Sequence, residues 1–151
     1  MISLICEKYG ITNYTVNDDG SIDVNGDVDL SRFELTELPL RFNKVTGNFH
    51  CGYNNLTSLK GSPGWVGGYF ICSRNELTSL EFSPDYVGCD FDCSNNNQLT
   101  DNYCDSEIIG NFYTKLKQNG LILDKYNKAT NYKEFQKLYK RKKILDDIFN
   151  M

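Results

Sequence analysis

The chain has 151 residues, 40% of them hydrophobic and 24% charged, with a formal net charge of −4. That length holds one domain, or one domain with an appendage, and no run approaches the roughly 18 apolar residues that a membrane span needs. The opening Met1–Lys8 has too short an apolar run for a signal peptide and lacks a basic start, so a cytoplasmic location is expected and the six cysteines are read as thiols.

Taken in chain order, Ser3–Tyr9 predicts a short helix closed by Gly10, and Asn13–Val24 predicts a hairpin around Asp19-Gly20. Residues 1–23 are thus the expected N-terminal cap. A repeat follows over 24–104. Phe49-His50-Cys51-Gly52-Tyr53-Asn54-Asn55-Leu56-Thr57-Ser58-Leu59 returns 21 residues later from Phe70 to Leu80, and again, one Asn longer, from Phe91 to Thr100. A period of this length is the signature of a stacked solenoid. The unit reads Val-x-Gly-x-Phe-x-Cys-x-x-Asn-x-Leu-x-x-Leu and begins at Val45, Val66 and Val87. A fainter copy runs through Val24, Gly26, Val28, Leu30, Leu35 and Leu38, with Phe33 where Asn would stand. About four coils are expected, stacked as a parallel sheet with strands roughly 4.8 Å apart.

Within a coil, Phe and Cys are separated by one residue, so a short strand sends both into the core. Cys51, Cys72 and Cys93 are therefore a ladder of small buried hydrophobes. The amides of Asn54, Asn75, and Asn96 or Asn97 are suited to satisfy backbone groups at the bend. The two Leu of each unit fill the far side of the core, and Pro63 and Pro84 punctuate the return segment.

The stretches Phe49–Leu59, Phe70–Leu80 and Phe91–Leu99 resemble the leucine-rich-repeat pattern Leu-x-Leu-x-x-Asn-x-Leu. The short period and the Pro are most similar to the bacterial effector type. The wording Val-Gly-Gly-Tyr-Phe-x-Cys-Ser-x-Asn-x-Leu-Thr-Ser-Leu looks like repeat proteins encoded by large bacteriophages. Phe and Cys replace the usual Leu pair, and Cys89 replaces the Gly found at 26, 47 and 68. Nothing after Cys104 is long enough for the ubiquitin-ligase domain of some bacterial effectors. The resemblance implies an α+β repeat solenoid that binds other proteins. In its phage form it implies an accessory protein that inhibits or redirects a host protein, a defence enzyme included.

Past Cys104 the charge reverses. Residues 1–104 hold 14 acidic and 6 basic side chains, whereas 105–151 hold 6 and 10. Residues 105–151 are expected to form a basic helical cap that complements the acidic solenoid. Ile108, Ile109, Phe112 and Leu116 predict a helix over Ser106–Gln118, stopped by Asn119-Gly120. Leu121-Ile122-Leu123 reads as a buried extended piece. A second helix is expected over Tyr132–Phe149, with Phe135, Leu138, Tyr139, Ile144, Leu145 and Ile148 between charges.

Residues flanking the inward Phe and Cys face outward: Asp27, Asp29, Ser31 and Arg32, then Asn48, His50, Gly52 and Tyr53, then Tyr69, Ile71, Ser73 and Arg74, then Asp90, Asp92, Ser94 and Asn95. Tyr53, Tyr69 and Ile71 are expected to form an aromatic and apolar centre, with His50, Arg74, Asp90 and Asp92 around it. That is the composition of a protein-binding hot spot with a charged rim, the plain alternative being a solvated sheet.

His50 is the only histidine, so no His-based triad or multi-His metal site is available within the chain. Its neighbour Cys51 faces the opposite way on a strand. Cys89, Cys93 and Cys104 lack metal-ligand spacing. The acids Asp18, Asp19, Asp23, Asp27 and Asp29 lack the alternation and final Glu of a calcium loop. No catalytic residue, metal or cofactor is expected. Lys140-Arg141-Lys142-Lys143, with Lys133 and Lys137 upstream, offers phosphate contacts, or else the wet face of a helix closed by Asp146-Asp147. The expected function is non-enzymatic binding of another protein, a bacterial host protein on the phage reading. Nucleic-acid binding by the basic helix is the alternative. Open coil edges leave self-assembly, and so the oligomeric state, undecided.

Overall fold

The chain starts with helix α1 (Ile2–Lys8) and strand β1 (Tyr14–Val16), after which each 21-residue unit folds into one coil bearing two short strands. These pairs are Ile22–Val24 (β2) with Val28–Asp29 (β3), Phe42–Val45 (β4) with Phe49–His50 (β5), and Trp65–Val66 (β6) with Phe70–Ile71 (β7). Tyr86–Val87 (β8) with Phe91–Asp92 (β9) and Glu107–Ile108 (β10) with Phe112–Tyr113 (β11) complete the series. The even strands form one parallel sheet in the order β2-β4-β6-β8-β10, with β1 added antiparallel at its edge, and the odd strands β3 to β11 form a second. About four coils are stacked in this way, and the fifth strand pair continues both sheets beyond them. The structure is a computed structural model that describes residues 1–100 and 104–114, the backbone of 117–118 and 121–122, and residues 144–145 and 147–150.

Two strands per coil follow from the Val-x-Gly-x-Phe spacing. Val and Phe both point inward, and the residues between them turn the corner from one sheet to the other. Val45, Val66, Val87 and Ile108 stand in register on one side of the core. Phe49, Phe70, Phe91 and Phe112 stand in register on the other. The rings of Phe49 and Phe70 stack at 5.7 Å, and Phe70–Phe91 and Phe91–Phe112 meet edge-on at 4.9 and 5.2 Å. Each fully buried Phe contributes roughly 1.5–3 kcal/mol from burial alone. Cys51, Cys72, Cys93 and the Leu pairs at 56/59 and 77/80 fill the remaining core, all buried.

The glycines at the first corner let successive coils touch backbone to backbone. A methyl group on Gly88 would lie 2.1 Å from the Gly67 carbonyl oxygen and 2.9 Å from its carbon, both immobile. Gly88→Ala is therefore expected to cost about 2 kcal/mol by prising two coils apart. A urea midpoint equal to wild type would show that the stack absorbs the methyl group.

At the opposite corner, Asn54, Asn75 and Asn96 form a buried amide ladder. The Oδ1 of Asn75 accepts the Leu56 N–H at 3.0 Å, and its Nδ2 donates to the carbonyls of Cys51 and Cys72 at 3.0 and 3.1 Å. Asn96 repeats the arrangement one coil on, with Leu77, Cys72 and Cys93, so the bend amide is Asn96, and Asn97 is exposed. Asn54 accepts from Phe33 and Leu35 in the first coil. Phe33, in the place of an Asn, turns outward and packs edge-on against Tyr9 of the cap at 5.0 Å.

The N-terminal expectations agree with the structure to within a residue or two. The hairpin pairs Tyr14 with Val24 and Val16 with Ile22, and Gly20 takes φ +80° in its turn. The helix expected over Ser106–Gln118 is replaced by β10 and β11, which continue both sheets past Cys104. Ile108 and Phe112 lie 21 residues after Val87 and Phe91 and are buried with them, whereas Ile109 is exposed. Their four-residue separation, which also fits one helical turn, is the Val-to-Phe spacing of every coil. Lys117–Gln118 (β12) and Leu121–Ile122 (β13) pair antiparallel, so 121–122 is extended as expected. Residues 144–145 and 147–149 are helical, inside the second helix expected over Tyr132–Phe149, whose other residues lie outside those described.

Candidate functional site

Outside the core, the side chains of each sheet form registered columns, one residue per coil. On the second sheet the column is Asp29, His50, Ile71, Asp92 and Tyr113. The His50 Nδ1 lies 3.7 Å from Asp29 Oδ1, and its ring meets the Tyr53 ring edge-on at 6.5 Å. Its Nε2 is buried without a hydrogen-bond partner, over Gly52, where a methyl group would come within 3.0 Å of it. Desolvation works against ionisation of Asp29, but hydrogen bonds from Ser31 and the nearby His50 and Arg32 hold its carboxyl below the usual range. Asp92 Oδ1 accepts the Ser94 N–H at 2.9 Å, closing the same local turn that Asp29 closes with Ser31.

Beyond this column the backbone enters the left-handed region in four successive coils, at Arg32, Tyr53, Arg74 and Asn95, with φ of 62, 57, 56 and 56°. Asn is at home there, whereas Arg and Tyr are uncommon. The three long side chains stack along the solenoid. Tyr53 lies between two guanidinium groups, the Cζ of Arg32 at 4.6 Å from its ring centre and that of Arg74 at 5.1 Å.

At the other margin, one residue before each strand of the second sheet, the column is Asp27, Asn48, Tyr69, Asp90 and Asn111. Asp27 Oδ1 accepts the Asn48 N–H at 2.7 Å, and Asn48 Oδ1 accepts that of Tyr69 at 2.9 Å. Asp90 accepts from Asn111 at 2.7 Å. A phenol has no carbonyl to offer Asp90, so Tyr69 interrupts this ladder. Tyr69 is 45% exposed and makes no ring contact among the described residues.

The residues expected to form one centre thus fall in three neighbouring columns. Tyr53 and Arg74 belong with Arg32 at one margin, Tyr69 and Asp90 stand at the other, and His50, Ile71 and Asp92 share the column between, the His50 ring edge-on to Tyr53. The strands are only two residues long, and Tyr53 stands at the left-handed bend that follows one of them, whereas Tyr69 stands just before the next.

The first sheet carries a column that reading the Phe-x-Cys strand alone does not reveal. Asp23, Lys44, Trp65, Tyr86 and Glu107 are in register on its outer face. The Lys44 ammonium sits 4.7 Å from the indole centre, and the Tyr86 ring stacks on its other side at 5.3 Å and 7°. Both faces of Trp65 are therefore used internally to clamp three coils together. The signal was available, since Lys44, Trp65 and Tyr86 each precede a repeat Val by one residue.

The acids near the hairpin are absorbed by local structure. Asp19 takes hydrogen bonds from Ser21 and pairs with Arg41 at 2.9 Å, which hold its carboxyl low, the Ser21 hydroxyl most. Asp23 is held low by the amides of Asn43 and Asn17. Among the described residues no group of three or more His, Cys, Asp or Glu is placed to hold a metal ion. No helix among them is long and apolar enough to cross a membrane. The basic patch of Lys133, Lys137, Lys140, Arg141, Lys142 and Lys143 lies outside the described residues. No protein-family model, curated protein sequence or solved structure matches this chain.

Proposed function

We propose that this chain is a non-enzymatic protein-binding module whose contact surface is the outer face of the second sheet. The observation that carries this reading is Tyr69. It is an outward aromatic of that face, 45% exposed and without a ring contact among the described residues, and Ile71, two residues on, points the same way. An outward Tyr and Ile set among Arg and Asp have the composition of a hot spot inside a polar rim. Trp65, by contrast, is consumed between Lys44 and Tyr86. The likeness of the Val-Gly-Gly-Tyr-Phe-x-Cys-Ser-x-Asn wording to leucine-rich repeats of the short bacterial and phage type supports a finer form of the proposal. On that form the chain is a phage accessory protein, acting in the host cytoplasm, that inhibits or redirects a host protein, a defence protein among the candidates.

The test is Tyr69→Asp with Ile71→Asp. The next coil already carries Asp90 and Asp92 at these positions, so the fold accepts the change, and Asp at 69 restores an acceptor to the interrupted ladder. Partner capture from lysate of the natural host, quantified by mass spectrometry, is expected to fall at least tenfold while the urea midpoint holds. Undiminished capture would remove this face from the proposal.

A further inference from the structure

We infer that Arg32 and Arg74, held on the two faces of Tyr53, form a receptor for the carboxylates of an acidic protein segment. The inference rests on the protein-binding reading and names the class of segment that would be bound.

Three observations lead to it. The first is the backbone. Arg32, Tyr53 and Arg74 occupy left-handed positions in three successive coils, where Asn95 supplies the residue type such a corner ordinarily takes. Strained positions filled by costly residue types concentrate at binding and catalytic sites.

The second is the unspent hydrogen-bonding capacity. The Cζ of each guanidinium lies over the phenol ring, at 4.6 and 5.1 Å from its centre. The ion pairs among the described residues are Arg41–Asp19 and His50–Asp29, and neither Arg32 nor Arg74 has a carboxylate within that range. Asp29 acts on Arg32 only through space, and its Oδ1 is occupied by the Ser31 N–H. Glu34 and Glu76, two residues beyond the Arg column, are exposed and make no ion pair there. Among the described residues no carboxylate takes up their N–H groups, and an Arg fork matches a carboxylate in two parallel bonds.

The third is preorganisation. A free Arg loses much rotamer freedom on binding, but stacking against a ring that is itself held between coils has already removed part of it. The two guanidiniums belong to coils two steps apart, a separation of about 10 Å at the spacing of parallel strands. One acidic segment lying along the solenoid can meet both. The acidic character of residues 1–104 does not oppose this, because charges more than about 8 Å away are largely screened at physiological salt.

The test is a titration of the full chain with the octapeptide (Glu-Ser)4, followed by the amide resonances of Tyr53, Arg74 and Asn75. Arg32→Asn with Arg74→Asn removes both forks and places at the corner the residue type already present at 95, so the fold is kept. Saturable shifts are expected in the wild type, with Kd at least tenfold weaker in the double variant. Arg32→Lys with Arg74→Lys keeps the charge but not the fork, and is expected to bind at least threefold more weakly than wild type. Equal binding by wild type and the Asn variant overturns the inference, as does no binding by wild type. Tighter binding of the octanucleotide dT8 than of the peptide also overturns it, in favour of a phosphate backbone. The protein-binding reading itself stands or falls on capture by the Tyr69 and Ile71 variant, so the two failures are distinguishable.

Discussion

Asn75→Ala is expected to remove about 4 kcal/mol of stability, a large share of the roughly 5–15 kcal/mol available to a single domain. The amide spends one acceptor and two donors entirely within the protein. On truncation the Leu56 N–H is left buried with no acceptor, which alone costs about 1–3 kcal/mol. The Cys51 carbonyl keeps its bond from Asn54, and the Cys72 carbonyl keeps its bond from Asn96, so each loses one bond of two. A cavity between coils adds the remainder. Asn75→Asp should not rescue, because it removes both donors and buries a charge. Equilibrium urea unfolding of the two variants checks this, and a loss below about 1 kcal/mol would show that the coil relaxes around the gap.

The second large effect is alkaline. Burial pushes the Cys51 thiol from 9.0 up to about 12, and desolvation moves the buried Cys72 and Cys93 thiols in the same direction. The unfolded chain releases these protons as pH rises past 9, while the folded chain retains them. The stabilisation is therefore complete below pH 9 and is lost as pH climbs toward 12. Each thiol removes up to about 1.4 kcal/mol per pH unit in that window. Three in one core make unfolding near pH 11 the expected outcome. Urea midpoints at pH 7, 9, 10 and 11 measure the slope, against which Tyr and Lys titration is a common background. Cys72→Ala should lower stability at pH 7 yet flatten the alkaline slope by about a third of the thiol contribution. An unaltered slope would place the alkaline sensitivity elsewhere.

The inward positions were readable because the core demands the same residue at the same depth in every coil. Val45, Val66 and Val87, and Phe49, Phe70 and Phe91, recur without slippage because each packs on its own counterpart. The fifth strand pair was hidden by two coincidences. An extra Asn at 97 shifts Leu99 off the period, although the count is restored by Glu107. The four-residue gap from Ile108 to Phe112 also imitates a helical turn. Which residues face outward was equally legible, since alternation on a strand settles it. How those residues meet was not, because Arg32, Tyr53 and Arg74 give no local sign of a left-handed bend. Their types argue against it, and only the stacking of coils around the Asn ladder imposes it. The Lys44–Trp65–Tyr86 column needed a second strand per coil, which the Phe-x-Cys alternation alone does not announce.

The amide ladder has one further consequence. The Asn75 side chain reaches only its own coil and the one before it, and the strand pairings join only adjacent coils. Copy number is therefore nearly neutral at the junctions. Unequal crossing-over that gains or drops one unit would bring Val45 against a Val and Phe49 against a Phe, as now. The gene can thus lengthen or shorten its outer columns, and reshuffle which side chains stand next to one another, without redesigning the interior.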